Sequence, residues 1–486
     1  MKLDQQPRLL KRRRTKIVAT LGPATSEESV VERLIEAGVD VFRLNMAHGD
    51  HDGHRAVHDR VRAVSDRLGV QVAVLADLAG PKIRVGQFPG GAVELADGAA
   101  VTVTSRDRPG DAETIPVGYD GLADEVQPGE RLVLDDGKLE LVVEAASGDD
   151  VTCTVVHGGK LADRKGVNFP DTSLSVSAPT DRDLDDARFG VELGVDFLGL
   201  SFVRSADDVR RLRSHVEALG GDIPIIAKIE KPEALGCVEE IFDVADAVMV
   251  ARGDLGVEVP LENVPAAQDE LVLYGRFRNK PVIIATQMLD SMIEQPRPTR
   301  AEVSDVAHAV SSGTDAVMLS GETAVGAHPV EAVETMDRII RRTEAGQWAE
   351  SAFQALTEDE EFASHGPFRV HDAVGRAVSQ LSRDLSVRAI LVLSQTGAST
   401  RIVSSSRPAA PLLGASLDPR ICRRMNLFWG VVPTVISEQD KDDDVELFRR
   451  LVTGMGLAQG GEAGLVVRGF RDDLAANMPS IRVVNV

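Results

Sequence analysis

Eight short apolar runs recur along the first 350 residues of the chain, and their spacing constrains the fold more than any other feature. They are KIVATLG from Lys16, VFRLNM from Val41, VAVLADL from Val72, FLGLSFV from Phe197, PIIAKIE from Pro224, AVMVARG from Ala247, PVIIATQ from Pro281 and AVMLSGE from Ala316. Near-continuous β-branched runs without polar alternation are what strands buried on both faces of a parallel sheet require. Helix-like stretches lie between most of them. The first, SEESVVERLIEAG, offers Ser26 as an N-cap and Gly38 as a C-cap. Eight βα units read as a (β/α)8 barrel, with a doubly wound open sheet as the alternative.

One interval breaks the rhythm, between Leu78 and Phe197. It holds strand-like alternation in AVTVT, RLVLDDGKLELVVEA and VTCTVVHGG, divided by PGG, ADG, PGE, DDG and SGDD turns. A structureless loop of that length is implausible in a compact domain, so a β lid domain inserted over the barrel mouth is expected. Past the last barrel helix, helices and the strands RAILVLS, PLLGAS, GLVVRGF and SIRVVNV read as a small α/β domain. The expected division is 1–85 with 174–346 for the barrel, 86–173 for the lid and 347–486 for the C-terminal domain, joined by an acidic linker from Ala349 to Pro367.

Composition excludes several classes. A net charge of -22 argues against nucleic acid as partner, and LKRRRTK near the N-terminus reads as a solvated arm or interface contact. No apolar run reaches the roughly 20 residues a membrane helix needs, and no secretory signal is evident, so a cytoplasmic location is expected. Cys153, Cys237 and Cys422 are three, far apart, and read as free thiols.

In barrels of this kind the chemistry sits where strands end. The strand ends supply Arg43 and Asn45, Asp77, Ser201, Lys228 and Glu230, Arg252 and Asp254, Thr286, and Ser320 with Glu322. Period-two alternation would put Lys228 with Glu230 on one side of their strand, and Arg252 with Asp254 on one side of theirs. Glu230 and Asp254 offer hard oxygen ligands, which suits Mg²⁺ or Mn²⁺ completed by water and substrate oxygens. A salt-bridge network closing the barrel top is the competing reading. No GxxxxGK[ST] loop is present, so a nucleotide would have to be held by the mouth and the lid.

The strings LGPAT, RLNMAHG, GPKIR, AKIEKPEA, ARGDLGVE, ATQMLDSM, RPTRAEVSDVAHAV and MLSGETAVGAHP, with LDDG and KGVNFP in the insert, resemble pyruvate kinase along the whole barrel. The resemblance implies phosphoryl transfer from phosphoenolpyruvate to ADP, then protonation of the enolate to pyruvate. It gives Lys228 the transition-state charge, Glu230 and Asp254 the divalent ion, and Arg43 the phosphoryl oxygens. Ala251, Gly253, Asp254 and Thr286 would seat the substrate carboxylate, with Thr286, or else Ser320 or a water held by Ser320 and Glu322, serving protonation. Asn45, His48, Arg84 and Lys165 would contact ADP. An aldolase-like metal enzyme and a catalytically dead sensor are the rival functions; the lid and the intact Lys228, Glu230, Asp254 and Thr286 speak against them.

Two departures from the family pattern carry expectations. Many members bind K⁺ with a Ser where this chain has Ala47 and with DTKGPE where it has Asp77, Leu78, Ala79, Gly80, Pro81 and Lys82. The site of Asn45, Asp77 and Leu78 would therefore take the Lys82 ammonium beside Asp77 in place of K⁺, and activity without monovalent cation is expected. In the C-terminal domain, Ser394, Thr396, Gly397, Ser399 and Thr400 of SQTGAST resemble the family's effector-phosphate loop, a bare turn being the alternative. Ala398 stands for the usual Arg, and GFRDDLA replaces a Trp-containing loop, which implies a sugar monophosphate or nucleotide effector rather than fructose 1,6-bisphosphate. The family is usually a homotetramer.

Overall fold

A computed structural model describes residues 13–349, 369–469 and 478–486. The expected linker and most of GFRDDLA lie outside these residues. The eight apolar runs become eight parallel strands, Lys16–Thr20, Val41–Asn45, Ala73–Asp77, Phe197–Leu200, Ile225–Ile229, Ala247–Ala251, Val282–Ala285 and Ala316–Leu319. Each pairs with its sequence neighbours, and the first closes on the eighth with Ile17 opposite Val317, so the open-sheet alternative is excluded. Helices such as Asp181–Leu193 and Arg300–Ser311 cover the outside, both opened by Thr capping boxes. The first helix spans Glu28–Ala37 and ends at Gly38, as expected, but Ser26 is not its cap. Pro23–Thr25 winds into a 3₁₀ turn first, and Ser26 closes that turn instead.

Between the third and fourth strands the chain leaves the barrel. It forms a two-stranded sheet, Ala92–Leu95 with Gly159–Ala162, and a six-stranded sheet running from Val167–Asn168 to Thr114–Pro116. This lid has a core of its own around Val101, Leu132, Leu141 and Val151. Because it leaves and rejoins at the C-terminal rim, it stands over the strand ends. One contact fastens it there: Asn168 Nδ2 donates to Glu258 Oε1 at 2.7 Å, and Glu258 also takes Lys231 Nζ at 2.6 Å.

Among the described residues the C-terminal domain has five strands, in the order Val431–Val435, Leu412–Ser416, Ile390–Leu393, Ala463–Arg468, Ser480–Asn485. Four are expected from sequence; Val431–Val435, with Pro433 inside it, is not. Pro is tolerated there because the strand is the sheet edge. Leu427, fully buried, joins Val18, Leu75, Met249 and Met318 in the cluster that fills the lower barrel, so this domain plugs the end opposite the lid.

The basic run is not a solvated arm in its described part. Arg13 pairs with Asp40 at 2.9 Å and Asp337 at 3.2 Å, and Lys16 with Asp40 at 3.1 Å. Lys16 also donates to the Val431 carbonyl at 2.7 Å, and the Arg14 and Thr15 amides donate to buried Glu344. Lys16 thus ties the barrel floor to the C-terminal domain, and Arg13 braces that floor, with partners too distant in sequence for the run itself to reveal.

Candidate active site

Lys228 stands at the end of the fifth strand with its ammonium nine-tenths buried. It lies 2.9 Å from Glu230 Oε1 and 3.2 Å from Asp77 Oδ1, and donates to Ser201 Oγ at 2.7 Å. Ser201 passes its own hydrogen to the Leu78 carbonyl at 2.7 Å. Burial works against the lysine's charge, but Asp77 and Glu230 outweigh it and hold the ammonium above its ordinary range. Asp77 is likewise disfavoured by burial, yet Lys228 and Arg43 bring it below the usual carboxylate range. Arg43 Nε is 2.6 Å from Asp77 Oδ2, and Nη1 donates to Thr20 Oγ1 at 3.1 Å. The fork is therefore fixed at the strand ends. Gly199 makes room for this cluster: a Cβ there would sit 2.8 Å from Asp77 Oδ1.

The sixth strand ends at Ala251, and Arg252 through Glu258 turn at once into a short helix. Strand alternation therefore does not place Arg252 and Asp254, which corrects the sequence reading. Arg252 leaves the site and forks onto Asp305, with both nitrogens at 2.6 Å. Asp254 faces the cluster. Glu230 is raised in pKa by burial first, against Lys228, with Asp254 adding to the rise, so two carboxylates share one pocket. Their oxygens are hard donors, and among the described residues no group of three or more His, Cys, Asp or Glu is placed to hold a metal ion. A hard divalent ion taking two protein carboxylates and completing its shell from substrate and water fits this donor set.

Lys82 does not sit where the sequence reading put it. Its Nζ lies 3.0 Å from Asp254 Oδ1, whereas Asp77 is held by Arg43 and Lys228. The insert starts just after Lys82, and Gly166 of the returning lid strand packs on its stem, which steers the ammonium toward the sixth strand. Leu78 turns its side chain into the core and leaves only its carbonyl toward the site, already bonded to Ser201. Asn45 Oδ1 accepts from the Ala47 amide at 3.2 Å.

Thr286 follows the seventh strand with φ of 67, and Gln287 with φ of 55, an unusual pair of left-handed residues. Its Oγ1 accepts from the Gly253 amide at 2.7 Å and donates to the Ala285 carbonyl at 2.6 Å. A Cβ at position 253 would sit 3.3 Å from that hydroxyl, so glycine is what permits the contact. The amide expected to cradle a carboxylate thus meets Thr286 here. Ser320 ends the eighth strand, and its amide donates to Glu322 Oε2 at 2.7 Å. The other Glu322 oxygen takes the Leu289 amide at 3.0 Å, so each oxygen of this carboxyl accepts a backbone amide.

Around the second strand end a patch of cations gathers in an acidic protein. His48 is shifted down by burial and then by Arg84, Arg43, Arg182 and Lys82. Arg182, whose Nη2 donates to the Met46 carbonyl at 3.1 Å, is a member that the sequence reading missed. The signal available was its place in the cap of the helix that re-enters the barrel. Lys165 is in the lid, 2.8 Å from Asp135 of the LDDG turn. Ser394, Thr396, Gly397, Ser399 and Thr400 lie far from this mouth, at the start of helix Ala398–Ser405 in the C-terminal domain. Ser394 and Thr400 are buried, with hydroxyls that have no hydrogen-bond partner.

Comparison with known proteins agrees with the fold. The family described as "Pyruvate kinase, barrel domain" matches residues 12–333, and "Pyruvate kinase, alpha/beta domain" matches residues 372–484. The pyruvate kinase of Mycobacterium tuberculosis (strain ATCC 25618 / H37Rv) is 44% identical over 431 residues, covering 89% of each chain. That of Corynebacterium efficiens is 42% identical over 473 residues, covering 97% of each. Pyruvate kinase of Agrobacterium vitis is 41% identical over 97% of this chain and 98% of its own.

Proposed function

The chain belongs to the pyruvate kinase family, and from that premise we propose how its barrel mouth moves the phosphoryl group of phosphoenolpyruvate to ADP. The observation that carries the reading is a buried ammonium, Lys228, held between Asp77 and Glu230 at a rim that also presents Asp254. Glu230 and Asp254 would hold Mg²⁺ or Mn²⁺, which when bound neutralises substrate charge. Lys228 is a fixed positive charge where negative charge passes, and it needs no reorganisation because its neighbours already position it. Arg43 offers its fork to phosphoryl oxygens. Ala251, Gly253, Asp254 and Thr286 form the carboxylate seat, which requires the Gly253 amide to exchange Thr286 for substrate. Thr286 delivers the proton to the enolate; Ser320 is the second candidate, weakened by the backbone commitment of Glu322.

Asn45, His48 and Arg84, joined by Arg182, form the ADP phosphate side, and Lys165 approaches from the lid, whose closure excludes water. Lys82 supplies a resident cation on the Asp254 side, so K⁺ is not required. Residues 1–85 with 174–346 serve catalysis, 86–173 cover it, and 347–486 regulate it through the loop from Ser394 to Thr400. A phosphorylated small molecule is the effector, and a cytoplasmic homotetramer is the working form. Among the described residues no helix is long and apolar enough to cross a membrane. The test is direct: purified protein with phosphoenolpyruvate, ADP and Mg²⁺ should yield pyruvate. No pyruvate above a Lys228→Met control, with or without KCl and sugar phosphates, would overturn the assignment.

A further inference from the structure

A cavity of about 1050 Å³ opens at the junction of the barrel floor and the C-terminal domain, remote from the strand ends. Arg278 and Lys280 line it from the barrel side, and Ser394, Thr396, Ser399 and Arg401 from the other. Lys280 belongs to none of the machinery described above. Its Nζ donates to the Ala245 carbonyl at 2.7 Å. The charges that act on it are Arg401 and Arg213, which oppose its proton, and Asp246 and Asp243, which favour it. Burial is the largest influence and, with Arg401 next, lowers this amine to about 8. Across the same cavity Ser394 is 6% exposed, and its Oγ has no hydrogen-bond partner, beside the first turn of helix Ala398–Ser405. A partly neutral amine and a seat for an anion thus share one space.

We infer that Lys280 is an acylation site for small acyl phosphates, with the phosphate group seated by the loop from Ser394 to Ser399 and the acyl carbon presented to Nζ. The inference rests on reading that loop as a phosphate seat. The amine lone pair forms a C–N bond to the acyl carbon, the C–O bond to phosphate breaks, and its electron pair leaves with inorganic phosphate. The amine's surplus proton passes to water. The product is a neutral amide, which removes a cation from the cavity and adds bulk between the two domains.

The experiment treats the full-length protein with acetyl phosphate near pH 7.5 and follows every lysine by peptide mass spectrometry. Lys280 should be acetylated on the order of tenfold faster than exposed Lys138, because its larger neutral fraction outweighs the lower nucleophilicity of a weaker base. The rate should rise with pH and level off above about 8. Inorganic phosphate should slow Lys280 but not Lys138, and Lys280→Arg should remove that adduct alone. In a second arm 4-nitrophenyl acetate, which carries no phosphate, should favour Lys280 without phosphate competition. Equal rates at Lys280 and Lys138 with both reagents overturn the site. A Lys280 preference that phosphate never slows overturns acyl phosphates as the reagent class, and removes the phosphate seat while leaving the reactive amine in place.

Discussion

Replacing Lys228 with Met keeps the stem volume and deletes the charge, so structure and catalysis respond through separate groups. Asp77 retains Arg43 Nε at 2.6 Å and stays ionised. Glu230 loses its ammonium at 2.9 Å and keeps Asp254 as an unfavourable neighbour, so it takes up a proton. Protonating a carboxyl of ordinary value 4.5 at pH 7 sets an upper bound on the stability loss of about 3 kcal/mol. At pH 5 the same bound falls below about 1 kcal/mol. A carboxyl raised in the folded state contributes stability below its ordinary pKa and loses it as pH climbs. The melting temperature of Lys228→Met should therefore trail the parent slightly at pH 5 and by a widening margin toward pH 8. Catalysis should fall by about 3 kcal/mol or more, roughly 150-fold in kcat, measured as pyruvate released under conditions where calorimetry shows the variant folded. A kcat within tenfold of the parent would remove Lys228 from the chemistry, and a melting gap that does not change with pH would remove its hold on Glu230.

The parent should be equally active in tetramethylammonium and KCl buffers, whereas Lys82→Met should lose about tenfold in the former and recover with KCl. Its melting temperature should barely move, since a pair about a quarter exposed is worth about 1 kcal/mol or less; a parent that stays inert until KCl is added defeats the idea. Thr286→Val should slow proton exchange into pyruvate more than phosphoryl transfer, and Thr286→Ser should restore it. Equal loss in both steps would remove Thr286 from protonation. Burial pushes the Cys153 thiol to about 12 and Cys422 to about 11, so at pH 8 an aromatic disulfide reagent should label half-buried Cys237 first. Labelling of Cys153 in the folded protein would contradict its burial.

Most of the barrel was legible because strands buried on both faces cannot hide their composition. The lid was legible for the opposite reason, since one-sided strands alternate and their turns need Gly, Asp and Pro. What failed in sequence involved a change of direction or a distant partner. Asp254 and Arg252 are two apart in what alternation treats as a strand, but the chain becomes helix at Arg252, and the two side chains part. Lys82 adjoins Asp77 in the motif, yet its ammonium reaches across to Asp254. Arg13 and Lys16 look solvated until Asp40, Asp337 and Val431 are brought to them.

The eight-stranded barrel, the inserted lid, the family and the residue types at the rim are all written along the chain. Tertiary structure decided how those residues share their charges: Lys228 between Asp77 and Glu230, Lys82 on Asp254, and Lys280 half-enclosed where two domains meet. The physical reason is range. Hydrophobic patterning and turn chemistry act over a few residues and are written locally. The desolvation and Coulomb energies that set a site's protonation depend on which groups, tens or hundreds of residues apart, come within about 3 or 4 Å.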